Sequence, residues 1–411
     1  MNVGVVGCGT AGPAAAIFLA RAGHHVTVLE RAPTLRPVGA GLLIQPTGML
    51  VLSELGLLDQ LLALGSRVDR LHGVTTGNRT LLDLSYSDLR DDLFGLGLHR
   101  GALFGSLLQA MRASGVEVRC GVEAVSIESS NAHPLVRDAT QALHGPFDFL
   151  IVADGARSSL RPASLHSRVR AYPYGALWFV AEDPTHRYDG VLAQVYHGTG
   201  SMIGFLPTGR AADDPVSPPL VSLFWSIRLD HARQLHDRGI DAWKTQVRAI
   251  TDRADPILDQ ISDTRKLILA AYHDVVMRRS FDFSHGPVVY LGDAGHAMSP
   301  QLGQGANLAL VDALTLSECV EATADLCAAI QQFDRLRRAN IRYYQFASRW
   351  LTPIFQSGHE FMAPLRDMAM GPMCRLGWTQ RQMLEALVGV KTGMMPWAAQ
   401  ALPRSPSPCG G

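Results

Sequence analysis

Asn-Val-Gly-Val-Val-Gly-Cys-Gly-Thr-Ala-Gly-Pro, from Asn2 to Pro13, leads into an alanine-rich stretch ending at Ala22. Gly-His-His-Val-Thr-Val-Leu-Glu, from Gly23 to Glu30, follows it. Residues 2–7 read as a short buried strand, residues 13–22 as a helix stopped by Gly23, and residues 25–30 as a second strand. Together they make one βαβ unit of about thirty residues. Pro13 falls in the first helical turn, where its missing N–H costs nothing. Gly7 makes the tight turn, Gly9 lets a pyrophosphate approach the backbone, Ala11 opens the helix, and Gly12 lets helix and strand pack closely. The helix N-terminus offers N–H groups and positive dipole to phosphate. Glu30, at the end of the second strand, is placed to accept hydrogen bonds from a ribose. A lone G-x-G-x-x-G is a weak signal, but flanked by strand, helix and acid in this order it points to dinucleotide binding.

Length and composition narrow the possibilities around that unit. A chain of 411 residues allows two or three domains and a core that needs no disulfide or metal staple. Hydrophobic residues at 47% and charged residues at 18% exclude intrinsic disorder as the main state. Lys plus Arg equals Asp plus Glu at 37 each, which argues against a nucleic-acid partner while leaving room for a local basic patch. Lys244, Lys266 and Lys391 are the only lysines, so no catalytic lysine can stand in the first 243 residues. The cysteines (Cys8, Cys120, Cys319, Cys327, Cys374 and Cys409) form no C-x-x-C pair and suggest neither a disulfide framework nor a metal site. They fit reduced thiols in a cytoplasmic protein. The apolar N-terminus has no basic leader and is broken by glycines, so it does not read as a signal peptide. No run of about 20 apolar residues suggests a transmembrane helix.

Two later segments distinguish FAD from a nicotinamide nucleotide. Residues 148–161 form a buried strand running into Asp154-Gly155 and a basic turn. Residues 288–307 form another, ending in Gly292-Asp293 and continuing as Pro300-Gln-Leu-Gly303-Gln-Gly305-Ala306-Asn307. With Glu30-Arg31, Gly39-Ala40-Gly41 and Leu98-His99-Arg100, these motifs resemble the single-component (group A) FAD-dependent aromatic monooxygenases, relatives of para-hydroxybenzoate hydroxylase and salicylate hydroxylase. The resemblance covers residues 1 to about 350. Val152 departs from it, where the family often has Gly.

The resemblance implies an α/β fold with a Rossmann-like (GR2-type) FAD-binding domain, an interleaved antiparallel β-sheet substrate domain, and C-terminal helices. The corresponding limits are 1–70, 98–170 and 281–325 for the FAD domain, and 71–97 and 171–280 for the substrate domain. A helical region then spans 326–397 and a disordered tail 398–411. It further implies that Glu30, with Arg31 beside it, holds the adenosine ribose, and that Arg100 reaches the pyrophosphate or ribityl side. Val122 would contact adenine through its backbone. Asp154 and Gly155 would lie near the pyrophosphate and a transient NADH or NADPH, and Asp293 would bind the ribityl chain.

The loop before the helix at about 307–322 can be read directly. Its glycines leave backbone N–H groups unobstructed at a positive helix end, which suits a reduced flavin carrying negative charge at N1 and O2. Gly303, Gly305, Ala306 and Asn307 are therefore expected at the flavin ring, with Pro300 in the same loop. His296 is not read as catalytic.

In the middle segment, strands are expected at 174–181, 191–197, 201–207, 220–229 and 266–275. A helical stretch near 231–253 and a surface loop at 208–219 interrupt them, and 129–146 reads as a loop or small hairpin. Period-two alternation gives the sheet two faces. By analogy with the family, the face carrying Ala193, Val195, His197, Ser201, Ile203 and Phe205 would meet the substrate. It is mostly apolar, which favours a larger, neutral aromatic or polycyclic substrate over a small benzoate. His197 is the one obvious base there, although a histidine satisfied by backbone near a turn is the simpler reading. Arg228, Trp225, Tyr172 and Tyr174 are further candidates. Residues 350–397 hold seven methionines, either a packed helical cap or an adaptable wall for a substrate or a dimer.

The function implied is NAD(P)H- and O₂-dependent hydroxylation of an aromatic small molecule through a flavin C4a-hydroperoxide, by a monomer or homodimer. An epoxidase or Baeyer–Villiger oxygenase on the same scaffold, or a flavin dehydrogenase or reductase, are the alternatives. A flavin halogenase is excluded by the missing lysine and the missing Trp-x-Trp-x-x-Pro segment.

Overall fold

The computed structural model describes residues 1–36, 39–211, 216–395 and 399–402, apart from the side chains of residues 166, 167, 233 and 236–238. Part of the 208–219 loop and residues 398 and 403–411 of the expected tail lie outside these limits.

Asn2–Val6 is the heart of a six-stranded sheet ordered Phe281–Asp282, Val288–Tyr290, Phe149–Val152, Asn2–Val6, His25–Glu30 and Glu117–Cys120. Its pairings are parallel except at the Phe281–Asp282 edge. Strands buried on both faces read as continuous apolar runs, and Phe-Leu-Ile-Val at 149–152 is fully buried. Helices Ala11–Arg21, Arg100–Ala113 and Gly305–Ala322 contribute to the main core through residues such as Ile17, Leu103 and Leu310. A side chain at Gly12 would put Cβ 2.0 Å from the Gly7 carbonyl oxygen, so only glycine allows the helix to start this close to the strand. Residues 124–144 add a small sheet of Ala124–Ser130, His133–Asp138 and Leu143–His144, one strand more than a hairpin.

The second large sheet has nine strands. Its order is Ile268–Met277, His166–Glu182, Leu220–Arg228, Ser201–Gly209, Gly190–His197, Ser66–Thr75, Gly95–His99 and Gly41–Ile44, with Thr80–Ser85 paired to Ser66–Thr75. All its pairings are antiparallel except Gly190–His197 with Ser66–Thr75. The expected helix near 231–253 is two helices, Leu229–Arg238 and Ile240–Arg248, broken at Gly239 with φ of 80°.

Leu326–Phe355 is one 30-residue helix whose first turn is capped by Asp325, which accepts from the Cys327 and Ala328 amides. Ala363–Arg375 and Gly377–Val388 follow. They leave Trp350, Phe361, Leu365, Met368, Leu376 and Trp378 each more than half exposed. Met370 and Met383 instead join apolar clusters, so the methionine-rich region is only partly core. Beyond it the chain returns against the body: the Thr47 hydroxyl donates to the Val388 carbonyl, and Asn340 donates to the carbonyls of Gly389 and Lys391. No helix among the described residues is long and apolar enough to cross a membrane.

Candidate active site

The glycine turn forms an open cradle. Gly7 has φ of 101°, and a Cβ on Gly9 would meet nothing within 4 Å, so space lies over the backbone where the helix begins. The Cys8 amide donates to one Glu30 oxygen at 2.7 Å and the Ala32 amide to the other at 2.9 Å. Each oxygen keeps a lone pair for a further donor. Burial, reinforced by Glu30, pushes the Cys8 thiol up to about 12, so it adds no negative charge beneath a phosphate. Val122 spends its amide on the Glu30 carbonyl at 2.9 Å, which leaves its own carbonyl as the backbone group available.

Asp154 and Asp293 approach the cradle from two other strand ends. A Cβ on Gly7 would lie 2.7 Å from Asp154 Cα, and one on Gly292 would lie 3.3 Å from Ala11 Cβ. Burial pushes the Asp154 carboxyl up, while Ser158 and the charges of Arg161 and Arg31 pull it down; its Oδ1 is buried without a partner. Arg161 donates to the carbonyls of Ala156 and Ala294, locking the Asp154-Gly155 turn to the Gly292-Asp293 turn. Asp293 stays exposed, facing Gly305. Arg100 starts its helix with its side chain against Gly39, where a Cβ would come within 2.7 Å.

The loop from Ser299 to Asn307 closes this side. Pro300–Leu302 is one short turn, Gly303 is left-handed with φ of 62°, and Gly305 begins the helix with amides lacking helical acceptors. Asn307 accepts from the Gln45 amide at 2.8 Å and donates to the carbonyls of Leu43 and Gly303. Gln304 donates to the Leu387 carbonyl at 2.6 Å. Two buried amide atoms beside the loop, Gln45 Nε2 and Gln304 Oε1, have no partner. Such orphans, the open cradle and the positive helix end fit an elongated, doubly anchored nucleotide such as FAD. His296, as expected, is structural: with Arg337 it holds the buried Asp312, whose Oδ2 also accepts the Gly292 amide at 3.0 Å.

The sheet face expected to meet the substrate is the covered one. Ala193, Val195, Ile203 and Phe205 are sealed in a core with Trp243, Val247, Ile257 and Leu258 from the back helices. Trp225 joins them, packed edge-on against Trp243. His197 is exposed at the strand end, paired with Ser201 across the hairpin. Three contacts bring the opposite face to the strand Gly41–Ile44 and to the loop instead. Gly41 donates to Ser222 Oγ at 2.9 Å; Leu43 packs with Leu206, Phe224 and Trp178; and Gln356 links Gln301 on the loop to Ser226 on the sheet. Trp178 and Phe224 lie 4.8 Å apart, and Gly204 beneath them gives Phe224 room. Arg228 reaches the rim of this face near Tyr174 but is held by Asp230. Tyr172 carries a buried hydroxyl without a partner. Gln45, Trp178, Phe224, Gln301, Gln304 and Gln356 were not legible as site residues; their roles rest on long-range contacts that no local motif announces.

Residues 1–324 match the family described as FAD binding domain. The chain is 28% identical over 349 residues to the 2-heptyl-3-hydroxy-4(1H)-quinolone synthase of Pseudomonas aeruginosa, covering 83% of this chain and 87% of the relative. It is 24% identical over 396 residues to 3-hydroxybenzoate 6-hydroxylase 1 of Aquipseudomonas alcaligenes, covering 90% and 94%. The fold superimposes on Klebsiella pneumoniae HpxO complexed with FAD and uric acid with a TM-score of 0.77 at 20% identity, covering 95% of this chain and 97% of that one. The chain therefore belongs to the FAD-binding-domain family and is an FAD-dependent, NAD(P)H-consuming monooxygenase of the aromatic-hydroxylase type.

Proposed function

We propose that this monooxygenase hydroxylates a neutral, bicyclic heteroaromatic ring of the quinolone class, held between the Ser299–Asn307 loop and the sheet face of Trp178 and Phe224. The observation that carries this reading is the chemistry of that face. Its walls are aromatic and aliphatic, and the side chains bridging loop to sheet, Gln301 and Gln356, are uncharged amides. A benzoate carboxylate would need a free cation there, and the guanidinium at the rim is already paired with Asp230. A stacked bicyclic ring with one carbonyl and one N–H suits two aromatic walls and two amides. Relatives named as a 2-heptyl-3-hydroxy-4(1H)-quinolone synthase and a probable one support the same class.

FAD, when bound, supplies the redox and oxygen-transfer chemistry. For this chain, Gly7, Gly9, Ala11 and Gly12 take the pyrophosphate, Glu30 the ribose, Arg100 the pyrophosphate or ribityl side, and Asp293 the ribityl chain. Gly303, Gly305, Ala306 and Asn307 present the positive helix end to negative charge on the ring. Pro300 and the aromatic walls exclude water from the reacting edge. The two large sheets support a division into an FAD unit and a substrate unit. The open apolar surface of the C-terminal helices supports a homodimer, and the free state of the five cysteines among the described residues supports a cytoplasmic setting.

The test is substrate-dependent NADH or NADPH oxidation and O₂ uptake with 4-quinolones and with hydroxybenzoates. A quinolone product gaining one oxygen atom, with tight coupling, is expected. Coupled turnover of hydroxybenzoates alone would sink the quinolone reading.

A further inference from the structure

The chain is neutral overall, yet it gathers arginines in one cleft outside the flavin site. Between the end of the Ile268–Met277 strand and the long helix Leu326–Phe355, a cleft of about 40 Å³ is lined by Arg278, Arg279, Ser280, Arg337, Arg338 and Arg342. Three carboxylates answer these five guanidinium groups, Asp312 being the partner of Arg337. Asp334 pairs with Arg338 and accepts from the amide and hydroxyl of Ser280, and Asp282 lies 3.5 Å from Arg279. Arg278 and Arg342 are exposed and have no carboxylate partner among the described residues. Arg337 is 2% exposed. Its Nε donates to Asp312 at 2.8 Å and its Nη1 to Asn340 at 3.0 Å, but its Nη2 is buried with no acceptor. A guanidinium N–H left unmade in the interior is costly, and its natural complement is an oxygen anion.

We propose that this cleft is a binding site for a phosphate-type oxyanion, taken between Arg278 and Arg342 at its mouth, with the buried Arg337 in its wall. The space is too small for a nucleoside but accepts the leading oxygens of a phosphate at an open mouth. Arginine forks match phosphate oxygens in pairs, which a lysine cluster would not do. The site reaches the cofactor side through shared residues: Arg337 holds Asp312, and Asp312 holds the Gly292 amide next to Asp293. The phosphate can be free or part of a nucleotide such as the 2′-phosphate of NADPH. The site does not depend on which aromatic substrate is oxidised.

Calorimetry on the FAD-loaded protein with inorganic phosphate, against sodium chloride of equal ionic strength, tests this. Saturable phosphate binding that chloride does not reproduce is expected, weakened at least tenfold in Arg278→Gln/Arg342→Gln with flavin content and spectrum unchanged. Competition by NADPH but not NADH would identify the coenzyme as the source, and competition by neither would identify free phosphate. Equal effects of phosphate and chloride, or unchanged affinity in the variant, would overturn the proposal. Should the double variant fold poorly, Arg342→Gln alone, on an exposed side chain, gives the same readout.

Discussion

Asn307 Oδ1 accepts the Gln45 amide at 2.8 Å while its Nδ2 donates to the carbonyls of Leu43 and Gly303, so one side chain fastens the glycine loop to the strand Gly41–Ile44. Asn307→Ala strands a buried amide and two carbonyls at once. It should lose about 1–3 kcal/mol of stability and release FAD more readily. Thermal unfolding of the FAD-loaded protein, with flavin fluorescence recorded in parallel, checks both. An unchanged melting temperature with full flavin retention would contradict this account of the loop.

Glu30 sits under the cradle with both oxygens already accepting backbone amides. Replacing it with Ala loosens Cys8 and removes the charged acceptor proposed for the ribose, and FAD affinity should fall about 10- to 100-fold. Glu30→Gln, which keeps an acceptor, should fall less. Titration of apoprotein with FAD measures each, and equal affinities for all three proteins would remove Glu30 from the nucleotide site.

The two sheet faces make opposite forecasts. Phe224→Ala opens the wall near the loop and should raise KM and waste NAD(P)H as peroxide, with modest loss of stability. Phe205→Ala, on the sealed face, should cost about 3–5 kcal/mol of stability and change KM little in whatever protein stays folded. Denaturant unfolding and coupled turnover of the pair discriminate; the reverse pattern would return the substrate to the Val195 and Phe205 face.

Burial pushes the Asp312 carboxyl up, but the charges and hydrogen bonds of His296 and Arg337 outweigh it and hold it at about 2. A carboxyl lowered by folding adds stability that is fully present above its unfolded value, near 3.8, and fades as pH falls toward about 2. Acid unfolding of the wild type should steepen in that window, and Asp312→Asn should lack the steepening. Parallel acid titrations by circular dichroism would expose any error in that sign.

The nucleotide half of the molecule is legible because its chemistry is local: Gly7, Gly9, Gly12 and Glu30 lie within one βαβ unit, and Asp154 and Asp293 each end an apolar strand. The middle strands are legible too, within two residues at each end, except that the first begins at His166 rather than 174. The choice between their faces is not, because Leu192 and Tyr196 are as apolar as Ala193 and Val195 when both sides of a sheet are buried. The deciding signal lay further on, in Trp243, Val247, Ile257 and Leu258, which are apolar at helical spacing and need a surface to cover. Gln304 and Gln356 carry no such signal; their partners stand 83 and 130 residues away.

Gln304 is braced by the carbonyls of Ala386 and Leu387, and Thr47 by that of Val388. The glycine cradle is translated well before the residues that brace the loop, Ala386 to Val388. A nascent chain that has not yet reached residue 386 therefore carries the nucleotide fingerprint without the carbonyls that hold the Ser299–Asn307 loop in place.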